Sequence, residues 1–200
     1  MYSPEEYLEF ERTADVRHEY FDGEIYEMAG ESLAHSQICA NILGEMRQAL
    51  KGTKCQALSP NMKIRAETHG LFAYPDLSIV CGDPEFHDQM RDVLLNPKVI
   101  VEVLSPSTQR YDQTKKFFRY RKEIPSLTDY VLIYQDIAFI EHHEKMLDGN
   151  WTFNVFEGLE GGFTLRSIEC EIPMAEIYDR VEVSAPTAPN DAEPLLGVQL

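Results

Sequence analysis

Residues 97–108 read PKVIVEVLSPST. Every residue from Val99 to Leu104 is aliphatic except Glu102. Such a run has the composition of a strand buried on both faces. A carboxylate there is unfavourable unless a cation or hydrogen-bond donors pair with it. The two-residue period of a strand puts Glu102 on one face with Ile100 and Leu104, and Val99, Val101 and Val103 on the other. Upstream, Tyr74-Pro75-Asp76 leads into the apolar run DLSIVC (76–81). If these two runs pair, Asp76 and Glu102 meet at one end of a sheet. Two convergent carboxylates repel each other, which raises a pKa or calls for a cation. Oxygen-only ligands suit hard ions such as Mg²⁺ or Mn²⁺. The expectation is that Asp76 and Glu102 hold a divalent metal.

A third element follows, and it could bring an ammonium near the metal. In YDQTKKFFRY (111–120), Asp112, Lys116 and Tyr120 recur every four residues on one helix stripe. A helix that comes straight after the Glu102 strand can lie over that sheet. Lys116 would then orient an attacking water or offset charge developing on a phosphoryl group. The competing account is an ordinary Asp112–Lys116 surface pair, which contributes only about 0.2–0.5 kcal/mol. For Tyr120, simple packing is the competing account. Arg110, Lys115, Arg119, Arg121 and Lys122 surround the stripe and form a basic cluster suited to phosphates. Ser105 and Ser107 have no G-x-S-x-G context, so they read as the strand end and a helix cap (Ser107 or Thr108) rather than as nucleophiles. In Glu141-His142-His143-Glu144, adjacent strand residues face opposite ways, so the two histidines do not chelate one ion easily.

Several elements must position these groups. Ser3-Pro4-Glu5-Glu6 reads as a capped helix start. Asp22-Gly23 lies between two β-type runs and reads as a hairpin. Ser32 to Leu50 reads as a helix, with Ile38, Ile42, Met46 and Leu50 on one face and Gly52 just past the end. His35 shares that face, which favours a hydrogen-bonded core histidine. Strands are expected within 54–66, over 76–81, 98–105 and 129–134, and as a pair over 138–144 and 151–157. Gln109 to Lys122 reads as a helix stopped by Ile124-Pro125, and 173–180 as a short closing helix. The result is a mixed α/β core around a central sheet, one domain over 1–180. From Val181 the composition turns to Ala, Pro, Asp and Glu, which reads as a poorly ordered tail over 181–200.

Composition bounds the function. The 200 residues are 44% hydrophobic and 26% charged, enough for one domain with a substantial core. No stretch approaches the roughly 18 apolar residues of a membrane span, and the acidic start MYSPEEYLEF lacks signal-peptide order. Cys39, Cys55, Cys81 and Cys170 are widely spaced, without a CxxC pair. They are expected to be reduced and mostly buried in a cytoplasmic protein. A net charge of −16 argues against loose nucleic-acid binding. Yet 11 of the 18 Lys and Arg residues lie in two short islands, Arg47 to Arg65 and Arg110 to Lys122. The first 31 residues carry ten acids against two bases.

The ensemble of Pro75-Asp76, the run Glu102-Val103-Leu104-Ser105-Pro106-Ser107-Thr108, and Asp112 with Lys116 and Tyr120 resembles a bacterial family described as "putative restriction endonuclease". That family belongs to the PD-(D/E)XK nuclease superfamily. HEYFDGEIYEMAG (18–30) followed by His35 is similar to its N-terminal signature, and the resemblance runs from about residue 3 to 145. It implies a restriction-endonuclease-like α/β fold that cuts phosphodiester bonds in DNA with Mg²⁺ or Mn²⁺, with a homodimer as the expected assembly. Asp76 and Glu102 would be metal ligands and Lys116 the catalytic lysine, with Lys115 as its rival. Glu19 and His35 would be supporting residues. One departure stands out: two residues after Glu102, where the superfamily places lysine, this chain has Leu104.

Overall fold

The computed structural model describes residues 1–66, 70–105 and 109–184. Helix α1 (Pro4–Glu11) starts at Ser3, whose hydroxyl accepts from the Glu6 N–H while Glu6 accepts from the Ser3 N–H. This reciprocal cap satisfies two donors that have no partner inside the helix. The hairpin β1 (His18–Phe21) and β2 (Glu24–Glu27) turns at Asp22-Gly23, both with positive φ. That backbone twist matches the twist of the flanking strands, and Asp-Gly tolerates it. Helix α2 (Leu33–Ala49) is capped by the Ser32 side chain and buries Ile38, Ile42 and Met46.

Eleven further strands follow: β3 (Cys55–Leu58), β4 (Lys63–Ala66), β5 (Leu71–Ala73), β6 (Leu77–Cys81), β7 (Val93–Leu94), β8 (Val99–Leu104), β9 (Asp129–Tyr134), β10 (Phe139–Lys145), β11 (Trp151–Glu157), β12 (Gly162–Leu165) and β13 (Cys170–Pro173). The central sheet has the order β11-β10-β9-β8-β6-β3. Only β8 and β9 in it are parallel, with Glu102 opposite Leu132. A parallel pair needs a crossover, and it contains α3 (Gln109–Tyr111), a π-helical stretch Asp112–Lys116 and α4 (Phe117–Glu123). The expected regular helix over Gln109 to Lys122 is therefore widened in its middle. A second sheet, β2-β1-β5-β4-β7, carries the N-terminal hairpin. The chain ends in the β12-β13 hairpin and α5 (Met174–Ile177).

The two faces of β8 divide the core as the alternation predicts. Val99, Val101 and Val103 pack with α2, α5 and the β12-β13 hairpin. Ile100 and Leu104 pack with Phe117 and Tyr120 of α4 and with residues of β4 and β5. Past α5, Val181 is buried, Val183 packs against the core and Ser184 bridges Ile137. The start of the expected tail is thus attached to the domain, and residues 185–200 lie outside the described residues, as do the expected caps Ser107 and Thr108.

Two long-range ties join distant segments. Arg12 grips Asp88 and Asp92 at 2.7 Å each, and Lys63 lies 3.3 Å from Asp92. The other tie corrects the expectation of four reduced cysteines: Cys55 and Cys81 form a disulfide. They are directly opposite each other on antiparallel β3 and β6, a proximity that sequence spacing does not disclose. Cys39 and Cys170 are free thiols, as expected.

Two predictions follow from these ties. The bridge closes a loop of 26 residues, so replacing Cys55 and Cys81 with Ser should lower unfolding free energy in urea by about 3 kcal/mol; an unchanged midpoint would refute this. The Arg12 hydrogen bonds hold the Asp92 carboxyl down, from 3.8 to about 2. A lowered folded-state pKa gives stability that is full above about pH 4 and lost as pH falls through about 2. The stability gap between wild type and Asp92→Asn should therefore close over that window in acid titrations followed by circular dichroism.

Candidate functional site

Glu102 is the fourth residue of β8 and is 4% exposed. Its partner is Lys116, whose Nζ lies 3.0 Å from Glu102 Oε1, 3.1 Å from Glu19 Oε1 and 3.5 Å from Asp112 Oδ1. Each contact comes from a different part of the fold. β8 supplies Glu102, β1 supplies Glu19, and the π-helical stretch supplies both Asp112 and Lys116. Tyr120 OH donates to Glu102 Oε1 at 3.4 Å, and Tyr130 OH donates to the Asp112 carbonyl at 3.0 Å. Lys116 is as buried as Glu102. Burial works to lower its pKa, yet Glu102, Glu19 and the other acidic neighbours hold it well above the ordinary lysine value. For Glu102, burial dominates and pushes the carboxyl up, against the pull of Lys116.

Asp76 stands at the mouth of β6, next to Leu77, which pairs with Val101 of β8. The antiparallel register thus brings Asp76 beside the Glu102 segment, as the sequence suggested. Asp76 Oδ2 accepts from the Val103 N–H at 2.7 Å and lies 3.3 Å from His35 Nε2. His35 Nδ1 faces Glu31 Oε2 at 3.6 Å and the Cys39 thiol at 3.5 Å. Burial lowers the His35 pKa, but the hydrogen bond to Asp76 and the charges of Asp76 and Glu31 outweigh it and raise the imidazole above its usual value.

Glu19, Glu31, His35, Asp76, Glu102, Asp112 and Lys116 line one cavity of about 880 Å³. Glu19, Asp76, Glu102 and Asp112 place four carboxylates at its floor against Lys116 and His35. Asp22, Glu24, Glu27 and Glu31 make its rim acidic as well. Tyr26 and Tyr111 provide aromatic walls. The oxygen-only pair Asp76 and Glu102 fits a hard divalent ion, because Mg²⁺ is commonly held by one or two carboxylates and keeps several of its waters. The surplus of negative charge around a single buried ammonium favours a bound cation for the same reason.

The structure brings together Asp76, Glu102, Lys116, Glu19, His35 and Tyr120. It separates the two lysines, with Lys116 enclosed by carboxylates and Lys115 exposed on the cavity wall. The basic cluster divides. Arg110, Lys115, Arg121 and Lys122 are exposed. Arg119 is held by Asp22 at 2.7 Å and Glu123 at 3.4 Å. Arg121 and Lys122 lie over the Phe118 ring. In the other island, Lys63 is buried against Asp92 and Tyr74, and Arg65 stacks on Phe72 and meets His87. Those two are structural. His142 and His143 do face opposite ways, His142 to Asp129 and His143 onto Phe117. Sequence reading missed Glu31 and Cys39. Their only signal was a spacing of four from His35 on either side, the reach of one helical turn.

A mixed sheet with a carboxylate–lysine cluster at one end of its central strands is the frame of a restriction-endonuclease-like fold. A crystal structure of a "putative nuclease belonging to DUF820" from Anabaena variabilis superposes with a TM-score of 0.74, covering 90% of this chain and 99% of that one at 16% identity. The family described as "Putative restriction endonuclease" (Uma2) matches residues 4–174. Two uncharacterized proteins of Synechocystis sp. are also similar. One, slr1290, is 35% identical over 176 residues, 88% of this chain and 90% of the relative. The other, sll1609, is 31% identical over 153 residues, 76% of this chain and 86% of the relative. The chain belongs to the Uma2 family.

The buried pair gives a stability prediction independent of activity. Lys116→Met leaves Glu102, Glu19 and Asp112 without their shared cation and should cost about 3–5 kcal/mol. Adding Glu102→Gln should recover part of that loss, because one buried charge disappears with its partner. Urea unfolding of both variants checks it; strictly additive losses would mean that the two groups do not compensate each other.

Proposed function

We propose that this chain is a metal-dependent endonuclease that hydrolyses phosphodiester bonds in DNA. The observation that carries this reading is the buried Lys116 ammonium, held by Glu102, Glu19 and Asp112 beside Asp76 at the floor of an open cavity. Such a cluster is unfavourable for folding alone, and family membership makes nuclease chemistry its natural use. Asp76 and Glu102 would hold Mg²⁺ or Mn²⁺. The ion would supply Lewis-acid polarisation of the phosphate and would make a bound water more acidic than bulk water. Lys116 offsets negative charge as it develops on the phosphoryl oxygens. Glu102 is fixed for its role by Tyr120, and Asp76 by the Val103 N–H and His35. Exposed Arg110, and Lys115 on the cavity wall, would meet backbone phosphates. A homodimer acting on both strands in the cytoplasm completes the reading.

Nicking of supercoiled plasmid by the purified chain tests it. With Mg²⁺ or Mn²⁺ the wild type should convert the plasmid to open circles, and chelator should stop it. Asp76→Asn, Glu102→Gln and Lys116→Ala should each lower the rate by at least about a hundredfold, while circular dichroism reports which of them still fold. Cleavage that persists in a folded Asp76→Asn protein would overturn the assignment. No cleavage with any ion, together with unaltered DNA binding in that variant, would instead make the chain a nuclease-fold binding module.

A further inference from the structure

Among the described residues, one group of three His, Cys, Asp or Glu side chains could hold an ion, and it does not include Glu102. Its members are His35, Cys39 and Asp76, whose ligand atoms all lie within 4.8 Å of one another. His35 and Cys39 are four residues apart on α2, so one helical turn stacks imidazole and thiol on the same face. Asp76 reaches the imidazole from β6, 3.3 Å from Nε2, and the Cys39 sulfur lies 3.5 Å from Nδ1. For Zn–S of about 2.3 Å and Zn–N or Zn–O of about 2.1 Å, tetrahedral ligand edges are about 3.5 Å. The two short contacts use different ring nitrogens, and with one ligand atom per residue the trio spans up to 4.8 Å, so the ligands must draw in when an ion binds.

We propose that His35, Cys39 and Asp76 form a second metal site for a borderline ion of the Zn²⁺ and Co²⁺ class, sharing Asp76 with the oxygen-only pair. Thiolate and imidazole select such ions over Mg²⁺ and Ca²⁺. His35 and Asp76 line the open cavity, which gives the ion an entry path and leaves its fourth position to water. Thiolate ligation releases the Cys39 proton to solvent as the sulfur–metal bond forms. An ion bound here draws on the same Asp76 carboxylate as the hard-ion pair, so the two sites are coupled. The site does not depend on the nuclease reading, since binding can be read without turnover.

Titration of the full chain with Co²⁺ alone, without added thiol, tests the proposal through the near-ultraviolet thiolate-to-Co²⁺ charge-transfer band. The wild type should develop the band and saturate at one ion per chain, and Zn²⁺ should abolish it by displacement. Cys170→Ser should keep the band and Cys39→Ser should lose it. His35→Gln should weaken Co²⁺ binding by at least about tenfold. A wild-type protein without the band, or a band that survives Cys39→Ser, overturns the site. If Cys39→Ser fails to fold, the His35→Gln titration decides, and unchanged affinity there also overturns it.

Discussion

The contact between Lys116 and Glu102 ties distant segments of this chain to its central strand. Each ion alone, transferred to the interior, would cost several kcal/mol, and their attraction offsets this only with good geometry and further partners. The partners are Glu19, Asp112 and Tyr120. Because they come from the N-terminal hairpin, the π-helical stretch and α4, the ion pair ties three segments to the central strand. A shift of β1, or regular winding over 112–116, would move a carboxylate relative to the ammonium. π-helical turns recur at functional sites because they re-aim a side chain without ending a helix, and here the turn carries Lys116 itself.

Topology supplies the rest of the geometry. The parallel β8–β9 pair requires a crossover over one face of the sheet, and that face carries Ile100, Glu102 and Leu104. The helix that covers the apolar residues must then also cover the carboxylate. Antiparallel β6 enters from the other side of β8 and brings Asp76 to the same end, where it can reach the Val103 N–H. The opposite face, packed on α2, is purely hydrophobic along Val99, Val101 and Val103. Where α2 passes the end of the sheet it presents His35 and Cys39 to Asp76. One strand thus separates a packing face from a chemical one.

Much of this was legible in residue order, for local reasons. The capping box at Ser3, the Asp-Gly turn and the apolar period of α2 are signals contained within a few residues. The face of Glu102 follows from the two-residue strand period and the nearness of Lys116 from a helix that has to fold back, but the direct ion pair between them does not. What was not legible depended on distant approach. Cys55 and Cys81 face each other only because β3 pairs with β6. Lys63 and Arg65 read as basic surface until β5 and the segment near Asp92 cover them. The widening at Asp112–Lys116 has no composition signal. In the sequence Cys39 reads as one of four mostly buried thiols, because its relation to Asp76 exists only in the fold.

The charge distribution limits how an acidic protein can approach a polyanion. Of the eleven bases in the two islands, Lys63, Arg65, Lys116 and Arg119 are tied to acids or rings inside the molecule. The exposed remainder near the cavity, Arg110 and Lys115, is small beside the acidic rim of Asp22, Glu24, Glu27 and Glu31. Non-specific attraction of the kind driven by counterion release scales with the number of phosphate contacts, and few are on offer here. A phosphodiester can enter such a cavity only where a cation screens the carboxylates at its floor. On the proposed reading, a divalent ion would do more than activate water: it would screen the carboxylates against the substrate's charge. On the same reading, Asp76, shared by the proposed hard-ion pair and the proposed His35–Cys39 trio, would be the carboxylate at which metal identity acts on the site.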